Sequence, residues 1–229
     1  MLIYGLMKYV ESVPLRYDKV MNVLTLGRHG QAREILLNEV KAGMEVLDIG
    51  CGTGVFALAA AEKGAKITCV DASASMLRIF RQRISQRPDL EPSLDIRECG
   101  AASIGHVLKD RRFDLVTASL MLGELPASVR THTIRVSGTL LKDGGRFVVC
   151  DEFWPRNPFL SVVYHLLFWI FFIPNFLLTR TLIQPVKGFD EDISSAGLVI
   201  AKRYSLLMGA MAILWLEPGA TEGCTSRAC

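Results

Sequence analysis

The stretch from Val46 to Gly54, with the sequence VLDIGCGTG, limits what this chain can fold into more than any other stretch. A run of branched apolar residues predicts a strand, three glycines at alternate positions predict a tight turn, and the apolar run 55–64 predicts a helix. Glycine accepts a positive φ and lets a ligand approach the backbone, while the first turn of a helix offers free N–H groups. The stretch therefore predicts a strand, a turn and a helix with a nucleotide-like ligand lying across the turn.

The spacing of the glycines indicates which ligand the turn suits. Dinucleotide-binding turns follow G-x-G-x-x-G, but Val55 stands where the third glycine of that pattern belongs. Asp48 precedes the turn, where its carboxylate would repel a pyrophosphate and attract a cationic amino group. We therefore expect an uncharged nucleoside that carries an amino acid, and the spacing disfavours an NAD-dependent oxidoreductase.

A second carboxylate ends the next predicted strand. Asp71 follows the run 65–70, about 20 residues after the glycines, where a carboxylate can accept hydrogen bonds from both ribose hydroxyls. VLDIGCGTG followed by ITCVDAS resembles the class I S-adenosylmethionine-dependent methyltransferases. The resemblance implies S-adenosylmethionine as cofactor and S-adenosylhomocysteine as product. It also implies a Rossmann-like α/β fold, with a mostly parallel seven-stranded sheet, a C-terminal antiparallel hairpin and an apolar helical insert after the fifth strand.

The resemblance also implies the residues that bind the cofactor. Tyr17 and Asp18 resemble the Tyr-Asp pair of the ubiquinone and menaquinone biosynthesis methyltransferases, in which the Tyr covers the methionine end of the cofactor. The family usually has an Asp where Gly100 stands, so adenine recognition is expected from backbone groups there or from Glu98. Ser119 stands next to the end of the strand predicted at 113–120, which in the family ends near the reacting methyl group. The expected set is Tyr17, Asp48, Gly50, Cys51, Gly52, Gly54, Asp71, Ala72, Met76, Gly100, Ala101 and Ser119.

Periodicity and breaker residues predict the remaining elements and one domain over 1–229. Helices are predicted at 17–24, 31–37, 73–87 and 126–141, and strands at 94–99, 113–120, 146–150, 198–207 and 211–216. The predicted parts are a helical cap at 1–43, a cofactor-binding core at 44–155, an apolar insert at 156–190, a terminal hairpin at 191–217 and a flexible tail at 218–229.

No charged residue stands between Arg156 and Arg180, in a chain of which 50% is hydrophobic. This length and hydropathy suit a membrane span, but one crossing would separate the terminal hairpin from its sheet. Pro174 leaves a helix of about 15 residues, or roughly 22 Å, which is too short to cross. We expect a lid or interfacial helix that dips into a membrane or covers an apolar substrate. The alternative is a buried core helix or a helix that joins two subunits of a homo-oligomer.

Composition sets further bounds. The net charge of +3 gives no reason to expect nucleic acid as a partner. The six cysteines form no C-x-x-C pair and have no histidine at metal spacing, so we expect free thiols, a reducing compartment and no metal. The apolar stretch at 1–7 is shorter than the core of a signal peptide. These features predict a cytoplasmic protein, peripheral on the inner face of the membrane if the insert meets lipid.

Methyl transfer from a sulfonium needs alignment, exclusion of water and sometimes a base, but no metal. His165 is the expected base because the ordinary pKa of histidine lies near neutrality, although an isolated histidine in an apolar run is often structural. Asp151 and Glu152 follow the fifth strand, where either could orient the acceptor or simply face solvent.

The sequence predicts a methyltransferase that acts on an apolar small molecule, such as a membrane-dissolved quinone precursor or lipid. The stretch 12–28 also resembles methyltransferases associated with corrinoid proteins, so methylation of a thiol or of a corrinoid-linked group is an alternative. A non-catalytic scaffold that binds the cofactor is another.

Overall fold

The computed structural model describes residues 27–153, 188–206 and 209–219. Tyr17, His165, the helix predicted at 17–24, most of the apolar insert and most of the tail lie outside the described residues. Among the described helices, none combines the length and apolar character needed to cross a bilayer.

Within the described residues, seven strands form one sheet in the order β3-β2-β1-β4-β5-β7-β6. All neighbouring pairs are parallel except those of β7, which runs antiparallel to both β5 and β6. The predicted mostly parallel sheet with a C-terminal antiparallel hairpin is therefore confirmed. The strands are β1 Glu45–Ile49, β2 Lys66–Asp71, β3 Leu94–Glu98, β4 Phe113–Ser119, β5 Leu141–Glu152, β6 Leu198–Leu206 and β7 Met211–Pro218.

Helices connect the strands and cover both faces of the sheet. Ser73 begins α3, where its hydroxyl accepts a hydrogen bond from the Met76 backbone N–H. The predicted helix at 73–87 is confirmed to within two residues at its C-terminal end. The α-helices are α1 Arg28–Asn38, α2 Val55–Glu62, α3 Ala74–Ser85, α4 Ile104–Val107, α5 Ala127–Thr139 and α6 Phe189–Ser195. Short 3-10 turns lie at Glu91–Ser93, Ala101–Ser103 and Leu122–Glu124.

The central strands are apolar on both faces because helices cover both sides of a parallel sheet. Val46 of β1 belongs to the core cluster on one face, together with the buried residues of α1, α2 and α3. Leu47 and Ile49 belong to the cluster on the other face, with residues of α5 and α6. This arrangement leaves the carboxyl ends of β1 to β4 free to form a ligand site.

The fifth strand differs from its prediction. It was expected at 146–150 after a helix reaching residue 141, but α5 ends at Thr139 and β5 begins at Leu141. Leu141 pairs with Phe113, and the register then shifts so that Leu115 pairs with Arg146. At Gly145 a Cβ would lie 2.9 Å from the Phe113 carbonyl oxygen. Gly144 and Gly145, which could have ended the preceding helix, thus lie in a bulge within the strand.

The terminal region also starts differently. The segment expected to form a hairpin from residue 191 first forms α6, Phe189–Ser195, and the hairpin begins at Leu198. Arg130 of α5 pairs with Asp192 of α6 over 2.6 Å, and the exposed fraction of both side chains is small. The ion pair fixes α6 against α5 where the described chain resumes after the insert.

Candidate functional site

The turn between β1 and α2 has the predicted glycine conformation. Gly50, Gly52 and Gly54 have φ values of +72°, +53° and +77°. At Gly52 a Cβ would meet nothing within 4 Å, whereas at Gly54 it would lie 2.1 Å from the Phe80 ring. Gly52 therefore leaves open space beside the backbone, and Gly54 allows α3 to pack closely against the start of α2.

Asp71 connects the end of β2 to this turn. Its Oδ2 accepts a hydrogen bond from the Gly52 backbone N–H over 2.8 Å, and its Oδ1 accepts one from Ser73 over 2.7 Å. An ionised carboxylate has about four acceptor positions, so each oxygen can accept another donor. The side chain is half-buried and lines a cavity. Its chemistry suits a pair of ribose hydroxyls.

Asp48 is buried in β1, with 4% of its surface exposed. Its Oδ1 accepts a hydrogen bond from the Thr117 hydroxyl over 3.0 Å. Burial raises the pKa of Asp48 to about 7, against the opposing effect of the Thr117 hydrogen bond. A carboxylate in this position attracts a cationic group, which would stabilise its charged form.

A cavity of about 390 Å³ lies over the carboxyl ends of β1 to β4. This volume is within the range of small-molecule sites. The predicted residues that it brings together are Asp48, Gly50, Cys51, Gly52, Asp71, Ala72, Met76, Ala101 and Ser119. An open glycine turn with a carboxylate on each of two adjacent strands fits S-adenosylmethionine, which has ribose hydroxyls and an ammonium group.

Five of the described candidate residues do not line this cavity: Gly54, Glu98, Gly100, Asp151 and Glu152. Gly54 packs against Phe80, and Gly100 precedes the 3-10 turn that follows β3. Glu152 lies within β5 opposite Met211, where it is half-buried and burial raises its pKa.

Asp151 was considered as a residue that orients the acceptor or faces solvent, but it is buried with 4% of its surface exposed. Its Oδ2 accepts a hydrogen bond from Gly123 over 3.0 Å, and its Oδ1 accepts one from the Glu152 backbone N–H over 2.8 Å. Burial raises the pKa of Asp151 to about 6. The carboxylate holds the turn after β4 in place instead of facing solvent.

The sequence analysis missed two groups of cavity residues. His29, Arg33 and Leu36 reach the cavity from α1, and Met121 and Glu124 reach it from the segment after β4. The only sequence signal for the first group was that Arg33 and Leu36 stand three residues apart on the helix predicted at 31–37, which did not include His29. The second group follows Leu120, whose φ of +53° turns the chain sharply at the end of β4.

Among the described residues, no group of His, Cys, Asp and Glu side chains is arranged to hold a metal ion. The described cysteines are free thiols, of which Cys51, Cys69 and Cys150 are buried. A hydrogen bond with Cys69, together with burial, raises the pKa of the Cys51 thiol. The Cys51 thiol is therefore protonated and unreactive, and the residue lines the cavity.

Comparison with known proteins shows similarity to methyltransferases. Residues 46–145 match the family described as methyltransferase domain. The chain is 30% identical over 224 residues to the ubiquinone/menaquinone biosynthesis C-methyltransferase UbiE of Bartonella tribocorum, covering 89% of this chain and 84% of that protein. It is 29% identical over 161 residues to the demethylmenaquinone methyltransferase of Lactiplantibacillus plantarum, covering 67% of this chain and 65% of that protein. The chain thus spans slightly less than two thirds of the second relative.

Solved structures share the fold. A magnesium protoporphyrin IX methyltransferase from Synechocystis PCC 6803 with bound S-adenosylhomocysteine has a TM-score of 0.63 and 20% identity, covering 83% of this chain and 84% of its own. The same enzyme with bound S-adenosylmethionine has a TM-score of 0.64 and 16% identity, covering 96% and 98%. At this identity the likeness supports the architecture alone.

Proposed function

Because this chain belongs to the class I S-adenosylmethionine-dependent methyltransferases, we propose that it transfers a methyl group to an apolar, membrane-dissolved small molecule such as a quinone precursor. The observation that carries this proposal is the cavity in which Asp48 and Asp71 flank the open turn at Gly52. The names of the relatives, which act in ubiquinone and menaquinone biosynthesis, support a quinone precursor over other acceptors.

In this proposal each carboxylate binds one part of the cofactor. Asp71 accepts hydrogen bonds from the ribose hydroxyls while it holds the Gly52 N–H, and Asp48 faces the ammonium group of the methionine chain. Met76 and Ala101 bound the adenine side, and Ser119 bounds the methyl side. When bound, the cofactor would supply a sulfonium methyl group: an electron pair of the acceptor would bond to the methyl carbon in line as the carbon–sulfur bond breaks, and the sulfur would leave as a neutral thioether.

The acceptor would approach from the side of β4 and β5. Ser119, Leu120 and Met121 form that wall of the cavity, and the uncharged stretch 157–179 follows β5 in the sequence. A lid or interfacial helix there would supply an apolar path for a membrane-dissolved acceptor and exclude water from the reacting atoms. In this proposal the protein is peripheral on the inner face of the membrane, and the insert contacts lipid in preference to a second subunit.

A base is required if the acceptor loses a proton when it is methylated. We assign this role to His165, which follows β5 in the sequence. Glu152, at the end of β5, would orient the acceptor, and burial raises the pKa of its carboxyl. Variants of His165 and Glu152 that keep cofactor binding but lose turnover would support the assignment.

Calorimetric titration of the purified protein with S-adenosylmethionine and S-adenosylhomocysteine tests the cofactor. Asp71→Ala removes the proposed ribose acceptor, so the wild type should bind and the variant should lose about 100-fold in affinity. Asp89→Asn, an exposed carboxylate paired with Arg87, is the matched control and should bind normally. If the wild type binds neither compound with detergent or liposomes present, the methyltransferase proposal fails.

Turnover with acceptors embedded in liposomes tests the substrate class. We expect transfer of the labelled methyl group to a demethylated quinone and co-sedimentation of the protein with the vesicles. Transfer to a small thiol in place of the quinone would favour the thiol or corrinoid-associated alternative. Cofactor binding with no turnover on any acceptor would favour the scaffold.

A further inference from the structure

Helix α1 packs against α2 and points its first turns at the cavity. Its buried residues Leu36 and Leu37 belong to the core cluster that includes Val148 of β5. Just after the helix, Glu39 pairs with Arg146 over 3.5 Å, and Arg146 follows the bulge of β5, where it pairs with Leu115 near the amino end of β4. Since α1 has 11 residues and extends about 16 Å, its first half reaches the carboxyl edge of the sheet.

His29 and Arg33 lie on that first half, four residues apart, and both line the cavity. They are the only basic side chains among the described residues that line it. Arg33 is half-buried and forms no hydrogen bond or ion pair within the described part of the chain. A guanidinium that is partly withdrawn from water without a partner is costly unless a ligand supplies an anion.

The strand order gives the order in which the strand-end residues line the cavity. From β3 through β2 and β1 to β4, the cavity runs from Ala101 past Asp71 and Asp48 to Ser119. A nucleoside held by Asp71 leaves the amino-acid chain of the cofactor over β1 and β4. That chain carries one ammonium and one carboxylate, and Asp48 suits only the ammonium.

We propose that Arg33 binds the carboxylate of the cofactor's methionine chain, opposite Asp48, which faces its ammonium. The inference rests on the proposed function, because it requires S-adenosylmethionine in this cavity. The planar guanidinium can donate two parallel hydrogen bonds to a carboxylate, which a lysine ammonium cannot. Two opposite charges on separate elements would fix the direction of the amino-acid chain, and thereby the direction in which the sulfonium presents its methyl group.

The test compares two ligands that differ only in the carboxylate. S-adenosylhomocysteine carries it, and decarboxylated S-adenosylhomocysteine keeps the amino group but lacks it. Calorimetry should show that Arg33→Gln weakens binding of the first by about 10- to 100-fold and leaves binding of the second within about twofold. Arg33→Lys should retain an intermediate affinity for the first ligand, because it keeps the charge without the two-pronged geometry.

Arg28→Gln is the matched control, since Arg28 is an exposed residue of the same helix that bonds to Gln31 and does not line the cavity. It should leave both affinities unchanged. Binding of the decarboxylated ligand by Arg33→Gln shows that the variant is folded, so loss of the first affinity alone supports the proposal.

Two results would overturn it. Equal weakening of both ligands would mean that Arg33 shapes the cavity and does not pair with a carboxylate. Unchanged binding of both would mean that Arg33 faces solvent or the methyl acceptor. Failure of the wild type to bind either ligand is a different result, because it contradicts the proposed function itself.

Discussion

Thr117 donates its hydroxyl hydrogen to Asp48 Oδ1 over 3.0 Å, between residues that are paired neighbours in β4 and β1. Both side chains are buried, and Asp48 directly precedes the glycine turn. The hydrogen bond fixes the carboxylate in place, and burial makes its charge costly until a cation arrives. A rigid, poorly solvated acid on a central strand is suited to a ligand that brings a positive charge.

The free energy of unfolding should record this cost. Because the pKa of Asp48 is raised to about 7 in the folded state from an ordinary value of 3.8, the folded protein binds the proton more tightly than the unfolded chain. This tighter binding of the proton stabilises the folded state in full below about pH 4, and the stabilisation is lost as the pH rises through 7. Asp48→Asn carries no such charge, so the stability of the variant relative to wild type should rise by about 2 kcal/mol between pH 5 and pH 8.

Urea unfolding at a series of pH values measures this difference. Asp151, which titrates in a similar range, is present in both proteins and cancels in the comparison. A constant difference between wild type and Asp48→Asn across that range would contradict a raised pKa at this site.

Alanine at two glycines of the turn should reduce different quantities: mainly stability at Gly54 and mainly cofactor affinity at Gly52. Gly54→Ala places a Cβ 2.1 Å from the fully buried Phe80 ring, which should cost about 3 kcal/mol of stability. Gly52→Ala meets no atom within 4 Å, so only its left-handed backbone should cost about 1 kcal/mol. Because Gly52 borders the cavity, this milder variant should lose about tenfold in affinity for S-adenosylhomocysteine.

Urea unfolding and calorimetry on the same preparations separate the two effects. The glycine assignments would be wrong if Gly52→Ala bound the cofactor normally, or if Gly54→Ala were as stable as Gly52→Ala.

Asp151→Ala should reduce turnover more than cofactor affinity. The substitution leaves the Gly123 N–H without its acceptor and releases the turn that carries Met121 and Glu124 into the cavity. An unsatisfied buried donor costs about 1 to 3 kcal/mol of stability. Steady-state kinetics should show a lower kcat, with S-adenosylhomocysteine affinity nearly retained because the Asp71 side of the cavity is untouched.

Asp143→Ala, an exposed carboxylate of the same strand, is the control and should change neither quantity. A parallel fall in kcat and in affinity for Asp151→Ala would indicate general damage to the cavity and not loss of one turn.

The ion pair between Arg130 and Asp192 should be a strong link between α5 and α6. Asp192→Ala leaves Arg130 buried without this partner and should cost about 3 kcal/mol of stability. Glu217→Gln breaks an exposed pair with Arg146 and should cost about 0.5 kcal/mol or less. Thermal or urea unfolding compares them, and equal costs would show that burial of the first pair contributes nothing.

The sequence predicted the fold well because its signals are local. The apolar run ending in Asp48, the three glycines and the second strand ending in Asp71 each specify their own backbone conformation. Ser73 marks the start of α3 in the same way, since a capping residue acts within one turn. Where a signal had two readings, the prediction was less accurate: Gly144 and Gly145 can end a helix or form a bulge, and only pairing with β4 selects the bulge.

The cavity was predictable only on the side built from consecutive motifs. Gly54 shares the glycine pattern, but it serves the packing of Phe80, a residue 26 positions away that the motif does not mention. Asp151 looked like a carboxylate at a strand end, and its hydrogen bond to Gly123 depends on how the segment after β4 folds back. His29 and Arg33 had no motif at all.

The sequence by itself determined the order of strands and helices, the cofactor class and the two carboxylates on adjacent strands, because each depends on residues close together in the chain. The tertiary structure decided which side chains meet over the carboxyl edge of the sheet. It buried Asp48 and Asp151 and so raised their pKa values, and it brought Arg33 of α1 to the cavity that Asp48 lines. These features depend on distances between residues far apart in sequence, which only packing of the whole domain fixes.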